Sequence, residues 1–177
     1  VAEGATVDTR GADGSGAITL LAVDERTDGA SASVEVIGAA LLGGAVTLDA
    51  RSTSRVAGDA TAAATSSATV TVRDSRIVAD GAVTLRATSD AEGVVAATGA
   101  ATVDAAIAAL LLASTATAGV EGTTTIQTPA TLTVTARNSS AARSTSGAGA
   151  GVATARVDRL TRAWISGTPT AAITAAD

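Results

Sequence analysis

VTVRDSRIVADGAVTLRATS, running from Val70 to Ser89, is the stretch that decides how this 177-residue chain folds. Val70 and Val72 make a first apolar beat, Ile77 a second, and Val83, Leu85 and Ala87 a third. Within the third beat the apolar residues alternate with Thr84 and Arg86, and period two is the spacing of a strand with one buried face. The breaks between beats hold Arg73, Asp74 and Ser75, then Ala79, Asp80 and Gly81. Asp, Ser and Gly are the residue types that turns select. Three short strands with three turns occupy roughly 20 residues, the length expected of one coil in a parallel β-solenoid.

Outward from this stretch the third beat recurs: AITLLA at Ala17, AVTLDA at Ala45, AVTLRA at Ala82, TLTVTA at Thr131 and a weaker AITAA at Ala172. Alternation places Ile18, Leu20 and Ala22 inward, and the same holds for Val46, Leu48 and Ala50 and for Leu132, Val134 and Ala136. Thr19, Thr47, Thr84, Thr133 and Thr174 then form a matching outward column, and Thr suits a half-exposed β face. Earlier beats also return, Val120 and Ile126 before Leu132, and Val157 and Ile165 before Ile173. From Ile18 the recurrences are 28, 37, 49 and 41 residues apart, which predicts one to two coils per unit. Runs such as DATAAATSSATVTV from Asp59 and STSGAGAGVATARV from Ser144 read as insertions at coil corners, where loops lengthen at small entropic cost. A competing reading caps a helix with Asp104 and runs it from Ala105 to Ala116, because Ala and Leu are strong helix formers. Thr115, Thr117 and Val120 return to β-favouring residues, so that helix would only decorate a single solenoid spanning residues 1–177.

Composition restricts the chemistry. The chain has 45 Ala, 18 Gly and one Trp, with no Phe, Tyr, Met, Cys, His or Lys. Without imidazole, thiol, amine or phenol, only carboxylates, hydroxyls and Arg remain as reactive groups, and the usual zinc ligands are missing. The expectation is therefore no catalytic residue, no cofactor and no metal. Twelve Arg are scattered among 17 carboxylates for a net charge of −5, which disfavours nucleic acid as a partner. The most apolar stretches, Val36 to Val46 and Ala105 to Ala113, are too short to span a bilayer as helices. Absence of Cys removes any disulfide framework. A chain opening at Val1 is expected to be a mature product or a piece of something longer.

Several constellations compete with plain structural roles. Asp8 and Asp13 lie in the glycine-rich DTRGADGSGA, but calcium wants six to eight oxygens, and the spacing with a terminal Glu is absent. A turn is the simpler reading. The glycine runs at Gly14 and Gly147 do not join a strand to a clear helix, as a phosphate-binding loop would. Asp24 with Glu25, or Asp90 with Glu92, are carboxylate pairs of the kind glycoside hydrolysis uses, yet sugar sites favour aromatic platforms and Trp164 is the only aromatic. Beside Ile165, Trp164 is expected to point outward, either half-buried against a corner loop or serving as an interface anchor. Thr19, Thr47, Thr84 and Thr133 are a candidate interaction surface. Ordered Thr arrays would suit ice, but the neighbouring file of Leu21, Asp49, Arg86 and Thr135 is mixed and charged and breaks a flat Thr face.

The pattern V-x(5–7)-I-x(5–7)-G-A-V-T-L-x-A-x-S, seen from Val70 to Ser89 and followed by DAEGVVAATGAATVDAAIA from Asp90, resembles the repeat regions of filamentous-haemagglutinin-like bacterial surface adhesins. The resemblance covers roughly Ala17 to Ala175 and brings no functional residues with it. It implies a right-handed parallel β-helix, secretion to the bacterial cell surface, and a stalk, fibre or adhesive role. The partners it implies are further repeats and a cell-surface glycan or protein receptor. The chain departs from the pattern in lacking Asn-rich turns, with Asn138 alone. The alternative is a subunit that stacks end to end into a homopolymeric extracellular filament or sheath.

Overall fold

In the computed structural model, which describes residues 1, 3–10, 16–98, 106–147 and 151–167, the chain winds in order through three parallel sheets of four strands. A short sheet holds β1 (Thr6–Asp8), β4 (Ala40–Gly43), β7 (Arg76–Ala79) and β10 (Thr125–Gln127). A first long sheet holds β2 (Ile18–Thr27), β5 (Val46–Gly58), β8 (Val83–Thr98) and β11 (Leu132–Gly147). The second long sheet holds β3 (Gly29–Ile37), β6 (Thr61–Arg73), β9 (Ala106–Glu121) and β12 (Gly151–Ile165). Each coil thus contributes one strand to each sheet, the arrangement of a β-solenoid.

The three beats of the deciding stretch fall one to a sheet: Val70 and Val72 in β6, Ile77 in β7, and Val83, Leu85 and Ala87 in β8. All six side chains are fully buried. Register pairs Ile18 with Val46, Val46 with Val83 and Val83 with Leu132. Successive coils are therefore 28, 37 and 49 residues apart at this position, longer than the roughly 20 expected, and each recurrence is one coil. The runs expected as corner insertions supply the difference: Thr61–Arg73 is the whole of β6, and Ser144 belongs to β11. Ala, Ser and Gly inward let the two long sheets lie face to face, so a coil widens by lengthening its strands. Val157 and Ile165, expected on different strands, share β12, while Ile173 and Thr174 lie outside the described residues.

The helix alternative is overturned where it is described. Ala106–Glu121 is a strand in which Ala108, Leu110 and Leu112 are buried while Ile107 and Leu111 are exposed. Alternate burial between two neighbouring strands outweighs the helix propensity of Ala and Leu. Asp104 and Ala105 lie outside the described residues.

A buried polar file crosses the interior between the long sheets. Ser52 of β5 and Ser66 of β6 sit 2.9 Å apart between hydroxyl oxygens, Ser66 and Ser89 of β8 also 2.9 Å, and Ser89 and Ser114 of β9 2.8 Å. Asn138 of β11 continues the file, its Nδ2 donating to the Ser114 and Leu160 carbonyls at 2.7 and 3.2 Å. At the other end Asp24 of β2 pairs in register with Ser52 and accepts from the Ser31 amide at 2.8 Å. The file separates two apolar clusters. One, against the short sheet, contains Leu41, Leu48, Ile77 and Leu85; the other, toward the corner joining the long sheets, contains Val95, Leu110 and Leu112.

The corner from the second long sheet to the short sheet repeats one backbone device. Gly38, Asp74 and Gly122 occupy it in successive coils at φ of 58°, 51° and 70°, the left-handed region that Gly enters freely and Asp tolerates. Inside the bend, buried Ser75 accepts the Ala39 amide at 3.2 Å and donates to the Arg73 carbonyl at 2.7 Å. Thr124 reproduces this one coil later, its hydroxyl donating to the Glu121 carbonyl at 2.7 Å.

Candidate functional site

Thr19, Thr47, Thr84 and Thr133 stand in direct register on the outer face of the first long sheet. Thr19 and Thr133 are exposed and the two between them half-buried. Parallel in-register pairing spaces such neighbours by about 4.8 Å, so the column is an ordered hydroxyl line. The adjoining column is Leu21, Asp49, Arg86 and Thr135. Asp49 faces outward yet is only 5% exposed. Arg51, two residues on along β5, donates to its Oδ2 at 2.5 Å, and among the described residues its buried Oδ1 has no partner. Farther along the sheet Arg55 pairs with Glu92 of the next coil at 2.9 Å. This outer face is hydroxyl at one margin and across the rest mixes ion pairs and hydroxyls with the exposed side chains of Leu21, Val23 and Val94.

The second long sheet carries a hydroxyl surface that period-two reading of the deciding phrase did not isolate. Ser31, Ser67 and Thr115 form one in-register column, and Ser33, Thr69 and Thr117 the next. Thr117 donates to Thr69 at 3.2 Å between hydroxyl oxygens. The fourth coil replaces this pattern with Leu160, Arg162 and Trp164. Its signal in the sequence was the spacing SAS, SAT and TAT at Ser31, Ser67 and Thr115, hidden because the Ser67 run reads as a corner insertion and Thr115 borders the competing helix.

Trp164 points outward, as expected, but rests on the sheet and not on a corner loop. It pairs in register with Gly119, where a Cβ would fall 2.2 Å from the indole Cε2. Glycine here is the notch into which the ring settles, and Gly119 is buried beneath it. The Arg162 guanidinium lies 4.7 Å from the ring centroid, within cation–π range.

The carboxylate pairs do not form a joint site. Asp24 points into the polar file, with Arg26 Nε at 2.8 Å, while its neighbour Glu25 is on the opposite, exposed face. Asp90 and Glu92 share the outer face, but Glu92 is taken by Arg55. Asp8 is bound by its own turn: the Arg10 guanidinium and backbone amide both donate to it, and hydrogen bonding from Arg10 lowers its pKa to about 2. Asp13 and Gly14 lie outside the described residues, and Gly147 ends β11. A cleft of about 590 Å³ on the second long sheet is lined by Thr61, Ala62, Leu110, Leu111 and Thr154, with Arg156 its one ionisable group among the described residues. Among those residues no three carboxylates converge, and no helix is long and apolar enough to cross a membrane.

What the arrangement offers is therefore repetition on the two long sheets: one Thr position recurs through four coils on the first, and hydroxyl residues recur through three coils on the second. No protein-family model, curated protein or solved structure matches the chain.

Proposed function

We propose that the chain is a non-catalytic structural and adhesive segment of a bacterial extracellular surface protein. In this reading right-handed coils stack into a rod whose outer faces meet a cell-surface glycan or protein receptor. One observation carries it: equivalent positions such as Thr19, Thr47, Thr84 and Thr133 recur in register through four coils. A rod exposes such a repeating exterior along its whole length. Right-handed winding follows from the strong preference of parallel crossover connections for that hand. Electron microscopy of the purified chain, with retention on immobilised glycans and cell-surface preparations, is the test. Rods that are retained support the reading; globular particles that bind nothing overturn it.

The sheet edges favour a second reading, a subunit that stacks into an extracellular filament. Among the described residues no strand lies beyond β1, β2 and β3 at one end or β10, β11 and β12 at the other. Unpaired strand edges recruit further strands, supplied by more repeats or by a second copy. Sedimentation across a concentration series separates the two. A filament subunit grows with concentration, is weakened by Val7→Pro in β1 and is unaffected by Arg86→Glu on a side face. A strictly monomeric parent removes the filament reading.

A further inference from the structure

The polar file divides the interior into two compartments of very different content. Against the short sheet, Leu41, Leu48, Ile77 and Leu85 are fully buried and enclosed by all three sheets. Beyond the file, among the described residues, the second cluster has seven buried side chains, of which Ala64, Ala91, Ala97 and Ala108 are alanine. No residue belongs to both clusters. Alanine burial returns little against the cost of ordering backbone, about 1–2 kcal/mol per residue.

Exposure tells the same story from outside. On the interior strands β8 and β9 the exposed apolar residues Val94, Ile107 and Leu111 all lie beyond the file, 50%, 60% and 44% exposed, whereas those on its short-sheet side, Leu21, Val23, Leu160 and Ile165, stand on the end strands β2 and β12. Support from below is also incomplete: β5 ends at Gly58, paired with Val95, while β8 continues to Thr98. Likewise β6 begins at Thr61, paired with Ala109, although β9 begins at Ala106. The third coil therefore overhangs the second at its wide end.

We infer that the wide end of the coils, outward from the serine file, unfolds locally as one unit while the compartment against the short sheet stays closed. The file is the boundary because its Ser52, Ser66, Ser89 and Ser114 hydroxyls satisfy one another, so unfolding can stop there without stranding buried polar groups. Gly93 is the sensitive point inside the unit. A Cβ at Gly93 would stand 2.6 Å from Leu110 Cδ1 and 2.9 Å from Leu112 Cδ2, so its absence lets those leucines fill the outer compartment. The inference concerns the fold and stands independently of the extracellular role.

Amide hydrogen exchange of the full chain, followed by mass spectrometry, tests this. Peptides covering 91–97 and 107–112 are expected to exchange at least about tenfold faster than those covering 46–50, 68–72 and 116–120. Equal protection in both sets, with a common dependence on denaturant, overturns the inference. Gly93→Val is expected to speed the outer peptides by a further factor of about ten and leave the inner ones within about twofold. Equal acceleration everywhere counts against a separate unit, and the wild-type comparison decides the matter if the variant does not fold.

Discussion

Inward and outward positions one residue apart have opposite tolerances. Leu85 is fully buried between Leu48 and Val134 in register, and Thr84 beside it is half-buried between Thr47 and Thr133. Burying a leucine contributes about 1.5–3 kcal/mol, and an unpaired carboxylate in its place costs several kcal/mol more. Leu85→Asp is therefore expected to abolish cooperative folding, with Thr84→Asp shifting stability by no more than about 0.5 kcal/mol. Chemical denaturation of the two variants checks this, and equal damage would mean the faces are misassigned. At Gly119 the same logic concerns space. A side chain there meets the Trp164 ring, so Gly119→Val should expel the indole from its notch. Because Trp164 is the chain's only aromatic residue, its fluorescence should shift to the red, and an unchanged spectrum would contradict the contact.

The corner that returns each coil to the short sheet couples backbone conformation to charge. Asp74 takes the left-handed conformation there, and its Oδ1 accepts from the Thr123 amide at 2.9 Å and the Thr123 hydroxyl at 3.2 Å. Those bonds, the amide first, hold its carboxyl below the usual carboxylate range. A folded pKa below the unfolded one means the carboxylate stabilises the fold above the unfolded value, about 3.9. That contribution is lost as pH falls through the lowered folded value. Asp8, held at about 2 by Arg10, acts in the same direction. Stability is expected to decline below about pH 4, and Asp74→Asn, which keeps an acceptor and tolerates the same φ, should flatten that decline. An acid titration in which wild type and Asp74→Asn fall together would show that the corner bonds do not report on charge.

Over the whole molecule the pairing distances govern how the chain reaches its fold. Strand partners are separated by 28 to 49 residues in the first long sheet, so the contacts are nonlocal throughout. Parallel pairing of that kind folds slowly, on the order of milliseconds to seconds or longer, where helical bundles take microseconds to milliseconds. Stopped-flow refolding followed by far-ultraviolet circular dichroism should show a slow phase that gains β signal. A fast helical signal that persists would restore the helix reading of the Ala-rich run.

By itself the sequence determined the strands and their faces wherever bulky apolar residues alternate with Thr, as from Val83 to Ala87, because period two is a local property of the chain. It also determined the recurrence, since the phrases at Ile18, Val46, Val83 and Leu132 are the very positions that pair. Tertiary structure alone decided the width of the coils. Ala leans to helix and Ser and Gly to turns by intrinsic propensity, so only the opposing long sheet makes strand of the Ala-rich first halves of Thr61–Arg73 and Ala106–Glu121. It decided the polar file too: Ser52, Ser66, Ser89 and Ser114 look like scattered surface residues until two sheets bring their hydroxyls within 3 Å. The same holds for the hydroxyl columns at Ser31 and Ser33 and for Trp164 on Gly119, which exist only across coils. Local alternation is written along the chain, whereas which coil lies above which depends on distances that only packing sets.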